Sequence, residues 1–201
     1  MGLTLEKLQE QINDLKKEVA ELKNENSVSI KKKLEIGDTF DLIGLKWKIL
    51  DKTSAGYMCL AETLEDEKQF DKNSSDWKKS SLREYLNGEF LEKLSGAVGK
   101  ENIISFERDL LSLDGQTEYG SCEDKVSLLT VDEYRRYRNM IPNTDDSWWW
   151  LITPWSTPCN DYERSVTFVS TSGRINYNDC CSRYGARPFC IFLSSIFESE
   201  D

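Results

Sequence analysis

The side chains best suited to chemistry in this chain are aromatic and polar groups near its C-terminal end, and none of them forms a recognisable catalytic motif. The 201 residues include no histidine, and the six cysteines show no C-x-x-C spacing. Histidine is the usual general acid or base at neutral pH and a common zinc ligand. The sequence therefore predicts a non-enzymatic protein without catalytic residues, a metal site or a cofactor.

Two polar stretches carry groups suited to binding, Asn160–Tyr162 and Asn176–Tyr184, and their tyrosines are expected to lie in loops. Tyrosine and tryptophan give a large contact area at low entropic cost, while Asn, Ser and Asp adapt their hydrogen bonds to a ligand. An ordinary polar loop has a similar composition, so each position also has a purely structural interpretation. The predicted ligand-binding residues are Trp155, Asn160, Asp161, Tyr162, Asn176, Tyr177, Asn178, Asp179, Ser182, Arg183 and Tyr184.

Three consecutive tryptophans, Trp148–Trp150, precede these stretches in a strongly apolar segment. Successive side chains of a strand point to opposite faces, so the three rings cannot share one side. We expect one or two of them in the core and at least one near the surface.

Oxygen donors occur as two Asn-Asp pairs, Asn160-Asp161 and Asn178-Asp179. Calcium prefers such oxygen ligands, which leaves a calcium-dependent glycan-binding lectin as an alternative function. Asn-Asp pairs are also ordinary turn residues, and a Glu-Pro-Asn sugar motif is absent from the sequence. Binding or stability that is sensitive to a chelator would favour the calcium alternative.

The charge of the chain argues against two classes of partner. The formal net charge is −10, and the acidic excess lies after residue 33. Nucleic acids and anionic membrane surfaces require a cationic face. No apolar run approaches the roughly 18 residues of a membrane-spanning helix, and the N-terminus lacks the apolar segment of a signal peptide. The sequence predicts no nucleic-acid partner, no membrane insertion, and a cytoplasmic or phage-virion location.

A heptad repeat runs through residues 4–29, which contain no Gly or Pro. A spacing of 3.5 residues keeps one apolar stripe against a partner helix. We therefore expect residues 1–33 to form a homo-oligomeric coiled coil, dimer or trimer, and residues 34–201 to form the binding domain. A single amphipathic helix packed on its own domain is the alternative. The apolar seam consists of Leu5, Ile12 and Val19 at position a and Leu8, Leu15 and Leu22 at position d.

Short apolar runs predict an α+β domain with antiparallel strands and two small helices. The first helix is expected at Ser81–Asn87. The second begins at the capping box Thr130–Glu133. In such a box the Thr130 hydroxyl accepts the backbone N–H of Glu133, and the Glu133 side chain accepts the backbone N–H of Thr130. Residues 65–80 are predicted to be a polar loop. The predicted strands are Thr39–Ile43, Leu45–Leu50, Tyr57–Ala61, Val126–Leu129, Trp148–Ile152, Val166–Val169, Arg174–Asn176 and Arg187–Phe192.

Five segments agree in order and spacing with one known family. They are Trp47–Leu50, Ser81–Asn87, Val126–Tyr134, Trp149–Pro154 and Gly185–Cys190. Together they resemble the bacterial and phage domains related to the formylglycine-generating-enzyme branch of the C-type lectin fold. The resemblance covers roughly residues 35–195 and implies a C-type-lectin-like domain. Enzymes of that branch use a pair of active-site cysteines with copper, but the cysteine spacing here matches none of their motifs.

Within that fold, the chain is similar to the variable proteins of diversity-generating retroelements, which display a hypervariable ligand-binding surface. Adenine-directed mutagenesis in those systems replaces Asn with a limited set that includes Tyr, Asp, Ser, Cys, Arg, Gly, Thr and Ile. Nearly every residue of Asn160–Tyr162 and Asn176–Tyr184 belongs to that set. An aromatic and polar patch of this kind suits either a protein or a glycan ligand, whose binding a multimer would strengthen. A structural component of a phage or cell-surface fibre is the alternative.

Overall fold

The computed structural model describes Lys7, residues 11–14, Lys16, residues 34–144 and residues 147–197 of the chain. Within these ranges Ile12 represents the predicted coiled-coil seam; it is helical and 41% exposed. The other seam residues lie outside the described residues, so the coiled coil stays a prediction; they are Leu5, Leu8, Leu15, Val19 and Leu22.

The part of the chain from residue 34 onward combines antiparallel sheets with few helices, as the predicted α+β class requires. The strands in the described ranges are β1 Thr39–Leu42, β2 Leu45–Lys52, β3 Tyr57–Ala61, β4 Lys68–Gln69, β5 Ile103–Ile104, β6 Phe106–Asp109, β7 Ser121–Asp124, β8 Val126–Ser127, β9 Trp149–Pro154, β10 Ser165–Val169, β11 Ile175–Asp179, β12 Arg183–Tyr184 and β13 Phe189–Phe192. From residue 34 onward, the α-helices in the described ranges are α1 Ser81–Tyr85, α2 Leu91–Val98 and α3 Val131–Tyr137. A π-helical turn at Leu86–Phe90 joins α1 to α2, and 3-10 turns lie at Trp77–Lys79, Lys100–Asn102, Pro158–Asn160 and Ser194–Ile196.

The largest sheet brings the two ends of this domain together. Its strands follow the order β1-β2-β3-β13-β5, β8 also pairs with β13, and every pairing is antiparallel. The predicted hairpin of β1 and β2 is confirmed. Its turn contains Ile43 at φ 53° and Gly44 at φ 80°, and positive φ at both central positions is what a type I′ hairpin turn requires. Glycine adopts such angles freely, whereas a β-branched residue rarely does.

A separate three-stranded sheet carries four of the predicted ligand-binding residues, Asn176 to Asp179, on its strand β11. Its order is β11-β10-β9, so β11 is an edge strand. Every residue of β9 is buried, including Trp149 and Trp150. Trp148, directly before β9, is 41% exposed. The predicted division of the three tryptophans between core and surface is therefore confirmed.

The prediction of a polar loop over residues 65–80 is wrong. β4 lies in this segment and pairs with β12, and a 3-10 turn follows at Trp77–Lys79. Phe70 and Trp77 are fully buried, and Nε1 of Trp77 donates to Asp124 Oδ2 at 2.7 Å. Burial of these two rings removes a large apolar area from water and so anchors the segment to the core. The polar residues around them do not prevent this burial.

The predicted capping box at the start of α3 is confirmed. The hydroxyl of Thr130 accepts the N–H of Glu133 at 3.1 Å, and the Glu133 carboxylate accepts the N–H of Thr130 at 2.8 Å. The Glu133 carboxylate also accepts hydrogen bonds from both Nη nitrogens of Arg108, at 2.7 and 2.6 Å. This pair joins the helix to β6. No helix in the described ranges is long and apolar enough to span a membrane.

Candidate functional site

Three aromatic side chains from separate segments meet at the surface. They are Trp155, Tyr162 and Tyr177, and we call them the aromatic cluster. The rings of Trp155 and Tyr177 stack with centroids 4.1 Å apart and planes at 26°, and Tyr162 meets Tyr177 edge-on at 6.2 Å. Tyr162 is 42% exposed and Tyr177 is 38% exposed. Aromatic pairs in such geometries attract each other beyond the area they bury, so the cluster is ordered while it faces solvent.

The three-stranded sheet positions two members of the aromatic cluster. Trp155 directly follows β9, and its N–H donates to the carbonyl of Ser165 at 2.9 Å. Tyr177 lies opposite Thr167 in the register of β10 and β11. Ser165 and Thr167 are two residues apart on β10 and share a face of the strand. Trp155 and Tyr177 therefore come to the same side of β10, where their rings stack.

The loop that carries Tyr162 is held by Asp114, a residue that was not among the predicted site residues. Asp114 Oδ2 accepts from Asn160 Nδ2 at 2.9 Å and from Ser156 Oγ at 2.6 Å, and Ser112 donates to Oδ1. These hydrogen bonds, with that of Ser112 foremost, lower the pKa of Asp114 below its ordinary value. Asn160 was predicted to contact a ligand, but its amide is engaged in fixing this loop.

Asp161 reverses the chain just before Tyr162. It ends the 3-10 turn Pro158–Asn160 in the left-handed conformation, with φ 60°. Asp and Asn enter that conformation more readily than most other residues. Asp161 is exposed. Its backbone therefore shapes the turn, while its side chain faces solvent.

The outer edge of β11 is covered by its own asparagines. In an antiparallel pair, the backbone N–H groups of successive residues point alternately toward and away from the partner strand. The hydrogen bonds at the two ends of the β10–β11 pair show that the N–H groups of Tyr177 and Asp179 point away from β10. Asn176 Oδ1 accepts the N–H of Tyr177 at 2.9 Å, and Asn178 Oδ1 accepts the N–H of Asp179 at 2.8 Å. Exposed edge donors invite pairing with another chain. The two asparagine oxygens satisfy these N–H donors. A ligand would therefore contact β11 through its side chains and not through these backbone N–H groups.

A second aromatic surface lies on the other face of β11. Asn178 follows Tyr177 and so points to the opposite face. Its Nδ2 donates to the hydroxyl of Tyr184 at 2.5 Å, and the half-buried Tyr184 ring packs on Trp150 at 4.5 Å. Trp148 lies beside Tyr184 at 5.3 Å. Trp148 was missing from the predicted site; alternation along the strand indicated that one of three tryptophans reaches the surface but could not say which one.

Asp179 is engaged by an arginine that the sequence did not single out. Arg164 Nε and Nη2 each donate to one carboxylate oxygen of Asp179 at 2.8 Å. This hydrogen-bonded arginine holds the pKa of Asp179 well below its usual range. Asp179 Oδ1 also accepts the N–H of Cys181, and its carbonyl accepts the N–H of Ser182, both at 2.9 Å. Asp179 and Ser182 therefore close the turn between β11 and β12.

Arg183 lies apart from the aromatic cluster. It pairs opposite Gln69 across β12 and β4, and its Nη2 donates to the carbonyl of Glu67 at 2.5 Å. Tyr177 and Tyr184, expected in loops, lie in the strands β11 and β12, because an edge strand tolerates polar neighbours. The single predicted patch is thus divided into the aromatic cluster on one face of β11, the Tyr184 side on the other, and Arg183 on a different sheet.

The cysteines near this site are free thiols, as are the rest of the six. Burial raises the pKa of Cys59 and Cys190 well above the ordinary value and raises that of Cys180 to about 12. Cys181, next along the chain, is exposed. Among the residues that the structure describes, no group of three or more Cys, Asp or Glu side chains is arranged to hold a metal ion.

One family match covers the three-stranded sheet, all of the largest sheet after β1 except the first residue of β2, and the aromatic cluster. The family described as "Domain of unknown function (DUF6273)" matches residues 46–194, more than half of the chain. The chain belongs to the DUF6273 family. No curated protein and no solved structure matches the chain. The DUF6273 segment begins in β2 and ends just after β13, so it contains every predicted ligand-binding residue, and the heptad repeat precedes it.

Proposed function

We propose that this DUF6273 domain is a non-enzymatic recognition domain whose aromatic cluster and neighbouring asparagines bind a protein or glycan ligand. One observation carries the proposal: Trp155 and Tyr162 both pack on Tyr177 from separate segments, while Tyr162 and Tyr177 stay 42% and 38% exposed. A surface that is ordered before binding avoids part of the entropic cost of association. Exposed aromatic groups of this kind are typical anchors of binding interfaces.

The state of the buried cysteines supports recognition rather than thiol chemistry. A reactive cysteine has a lowered pKa and a partly exposed, electropositive setting. Burial instead raises the pKa of Cys59, Cys180 and Cys190, so these sulfurs stay protonated at neutral pH. The absence of histidine from the sequence points the same way.

The proposal includes a C-type-lectin-like fold. Five sequence segments in the expected order support it, and so does the combination of antiparallel sheets with few helices. The C-terminal strand β13 returns to pair with β3. This pairing can be compared directly with the strand order of C-type lectin domains. A crystal structure of the full chain, superimposed on C-type lectin domains, tests the assignment. A different strand order in the matched core would reject it.

Diversification of this surface is the finer part of the proposal. Most of the suspected variable positions are exposed, so their side chains can change without loss of core packing. Cys180 lies in the same stretch but is fully buried, and a polar replacement there would disturb the core. The exposed positions are Asn160, Asp161, Tyr162, Asn176, Tyr177, Asn178, Cys181 and Arg183.

Sequencing of the C-terminal coding region from many cells or particles of one population tests the diversification. We expect substitutions at adenine-bearing codons of the exposed positions, with Cys180 and the codons before residue 155 unchanged. A uniform region would contradict diversification and leave a binding domain of fixed specificity. Substitutions spread equally over buried and exposed codons would also contradict it, because they indicate ordinary drift.

The heptad repeat completes the proposal as a device that joins two or three copies. Once one copy is bound, the next copy finds its ligand at a raised local concentration, and avidity grows without new contacts. The repeat lies before the family match, so this role is separable from the binding domain.

A further inference from the structure

A cavity of about 370 Å³ lies apart from the aromatic cluster, where the segment after β3, the segment after α3 and the segment before β13 meet. Its lining is mainly polar and includes Glu62, Thr63, Asn143, Ser147 and Arg187. Its volume is at the lower end of the range that small-molecule sites occupy, about 300–1,000 Å³. The cavity therefore suits a small polar ligand.

Arg187 brings a buried guanidinium to this cavity. The residue is only 6% exposed; its Nε donates to the carbonyl of Ala61 at 3.0 Å, and its guanidinium lies over the Trp149 ring at 5.2 Å. Neither Nη nitrogen forms a hydrogen bond or an ion pair with any residue that the structure describes. Arg187 is one of the residues that line the cavity.

Among the described residues, no carboxylate contacts Arg187, although Glu62 acts on it electrostatically. A guanidinium has five N–H donors arranged as a fork that matches a carboxylate, and here one of them is used within the protein. Burial lowers the pKa of Arg187 to about 10, so the group is still charged at neutral pH. A buried charge without a partner is costly, and an anion that enters the cavity removes that cost.

Glu62 supplies the opposite charge on the same cavity. No ion pair joins it to Arg187, and one of its oxygens accepts the N–H of Lys46 at 3.0 Å. The cavity thus presents a cation and an anion that do not neutralise each other by contact. We propose that it binds a free α-amino acid, whose carboxylate pairs with Arg187 and whose ammonium group faces Glu62. The hydroxyls of Thr63 and Ser147 line the remaining space.

Thermal unfolding of the full chain tests this proposal, with each common L-amino acid as a probe and with acetate, inorganic phosphate and methylamine at the same concentration. At least one amino acid should raise Tm by roughly 5–10 °C when its concentration is about a hundred times Kd. The three simple ions should each raise it by less than about 1 °C, because each satisfies only one of the two charges. If no amino acid stabilises the protein, or if acetate or phosphate alone has an equal effect, the proposal is overturned.

Variants locate the binding. R187K keeps the charge but loses the fork, and E62Q keeps the hydrogen bond to Lys46 but loses the charge; each should weaken the active amino acid about tenfold or more by calorimetry. E65Q, an exposed acid outside this cavity, should bind as the wild type does. Should R187K fail to fold, E62Q decides the question, since Glu62 is exposed. Unchanged affinity in E62Q would overturn the proposal.

A last variant concerns the two acids that the sequence places between lining residues, Asp145 and Asp146. The double substitution D145N/D146N removes both charges. We expect its affinity to stay within about threefold of wild type. If amino-acid binding appears in this variant alone, the chain's own carboxylates neutralise Arg187, and the proposal is wrong.

Discussion

The stack of Trp155 on Tyr177 should appear as a coupling energy in a double-mutant cycle of W155A and Y177A. Aromatic pairs contribute about 0.5–1.5 kcal/mol beyond the area they bury. The centroid separation of 4.1 Å and the interplanar angle of 26° describe a close stack, so we expect a coupling of about 1 kcal/mol. This energy is what would keep the two rings ordered before a ligand arrives.

The single variant Y177A has an expected cost of its own. Tyr177 is 38% exposed, and the part that is buried is worth about 25 cal/mol per Å² of a ring that can bury roughly 150–250 Å². The loss of unfolding free energy is therefore at most about 2–4 kcal/mol, since area estimates of this kind are upper bounds. Y177F keeps the ring and should keep the coupling to Trp155.

Urea unfolding measures these differences. Far-UV circular dichroism is the suitable signal because W155A changes the fluorescence, and midpoints should be compared with a common m value. The pair W155A and I36A provides a control, as Ile36 lies before β1 and outside the aromatic cluster; its effects should add within about 0.3–0.5 kcal/mol. A coupling for W155A and Y177A no larger than that of the control would refute a preformed cluster.

Three further predictions concern the edge strand, acid stability and assembly. N176V/N178V removes the side chains that satisfy the outer N–H groups of β11, so light scattering should show association that grows with concentration; an unchanged size would contradict their protective role. The pKa of Asp179 is depressed by Arg164, so its stabilising effect is fully present well above the unfolded value of about 3.9 and is lost progressively as pH falls from there through the lower folded-state pKa. Tm should then fall more between neutral pH and pH about 3 in the wild type than in D179N, and an equal fall would count against the pair. Deletion of residues 1–30 should give a folded monomer with weaker apparent binding, and a truncated chain that scatters light as a multimer would refute the role of the heptads.

Local patterns in the sequence were sufficient for much of the fold. Alternation and turn residues predicted the β1–β2 hairpin, the buried strand β9 and the capping box at Thr130, because each depends on residues close together in the chain. The prediction of a polar loop over residues 65–80 was wrong because the structure of this segment depends on residues far away in the chain. Phe70 and Trp77 are isolated among polar residues, and only distant partners such as Asp124 make them core.

The candidate site shows the same limit. Composition selected Trp155, Tyr162 and Tyr177, and the structure brings their rings together. The groups that hold them, such as Asp114 beneath the Tyr162 loop, lie far away in sequence and carry no local signature. Strand alternation could not divide the patch between the two faces of β11 until the bounds and register of that strand were known.

The most direct test of the recognition proposal is the binding of the full chain to arrays of glycans and of proteins, with Y162A/Y177A and I36A measured in parallel. Ile36 is an exposed apolar residue outside the family match and serves as the control. Interface anchors contribute about 2 kcal/mol or more, so the account predicts a ligand that wild type and I36A bind alike and that Y162A/Y177A binds about thirtyfold more weakly. A ligand bound equally by all three proteins would contradict the role assigned to the aromatic cluster.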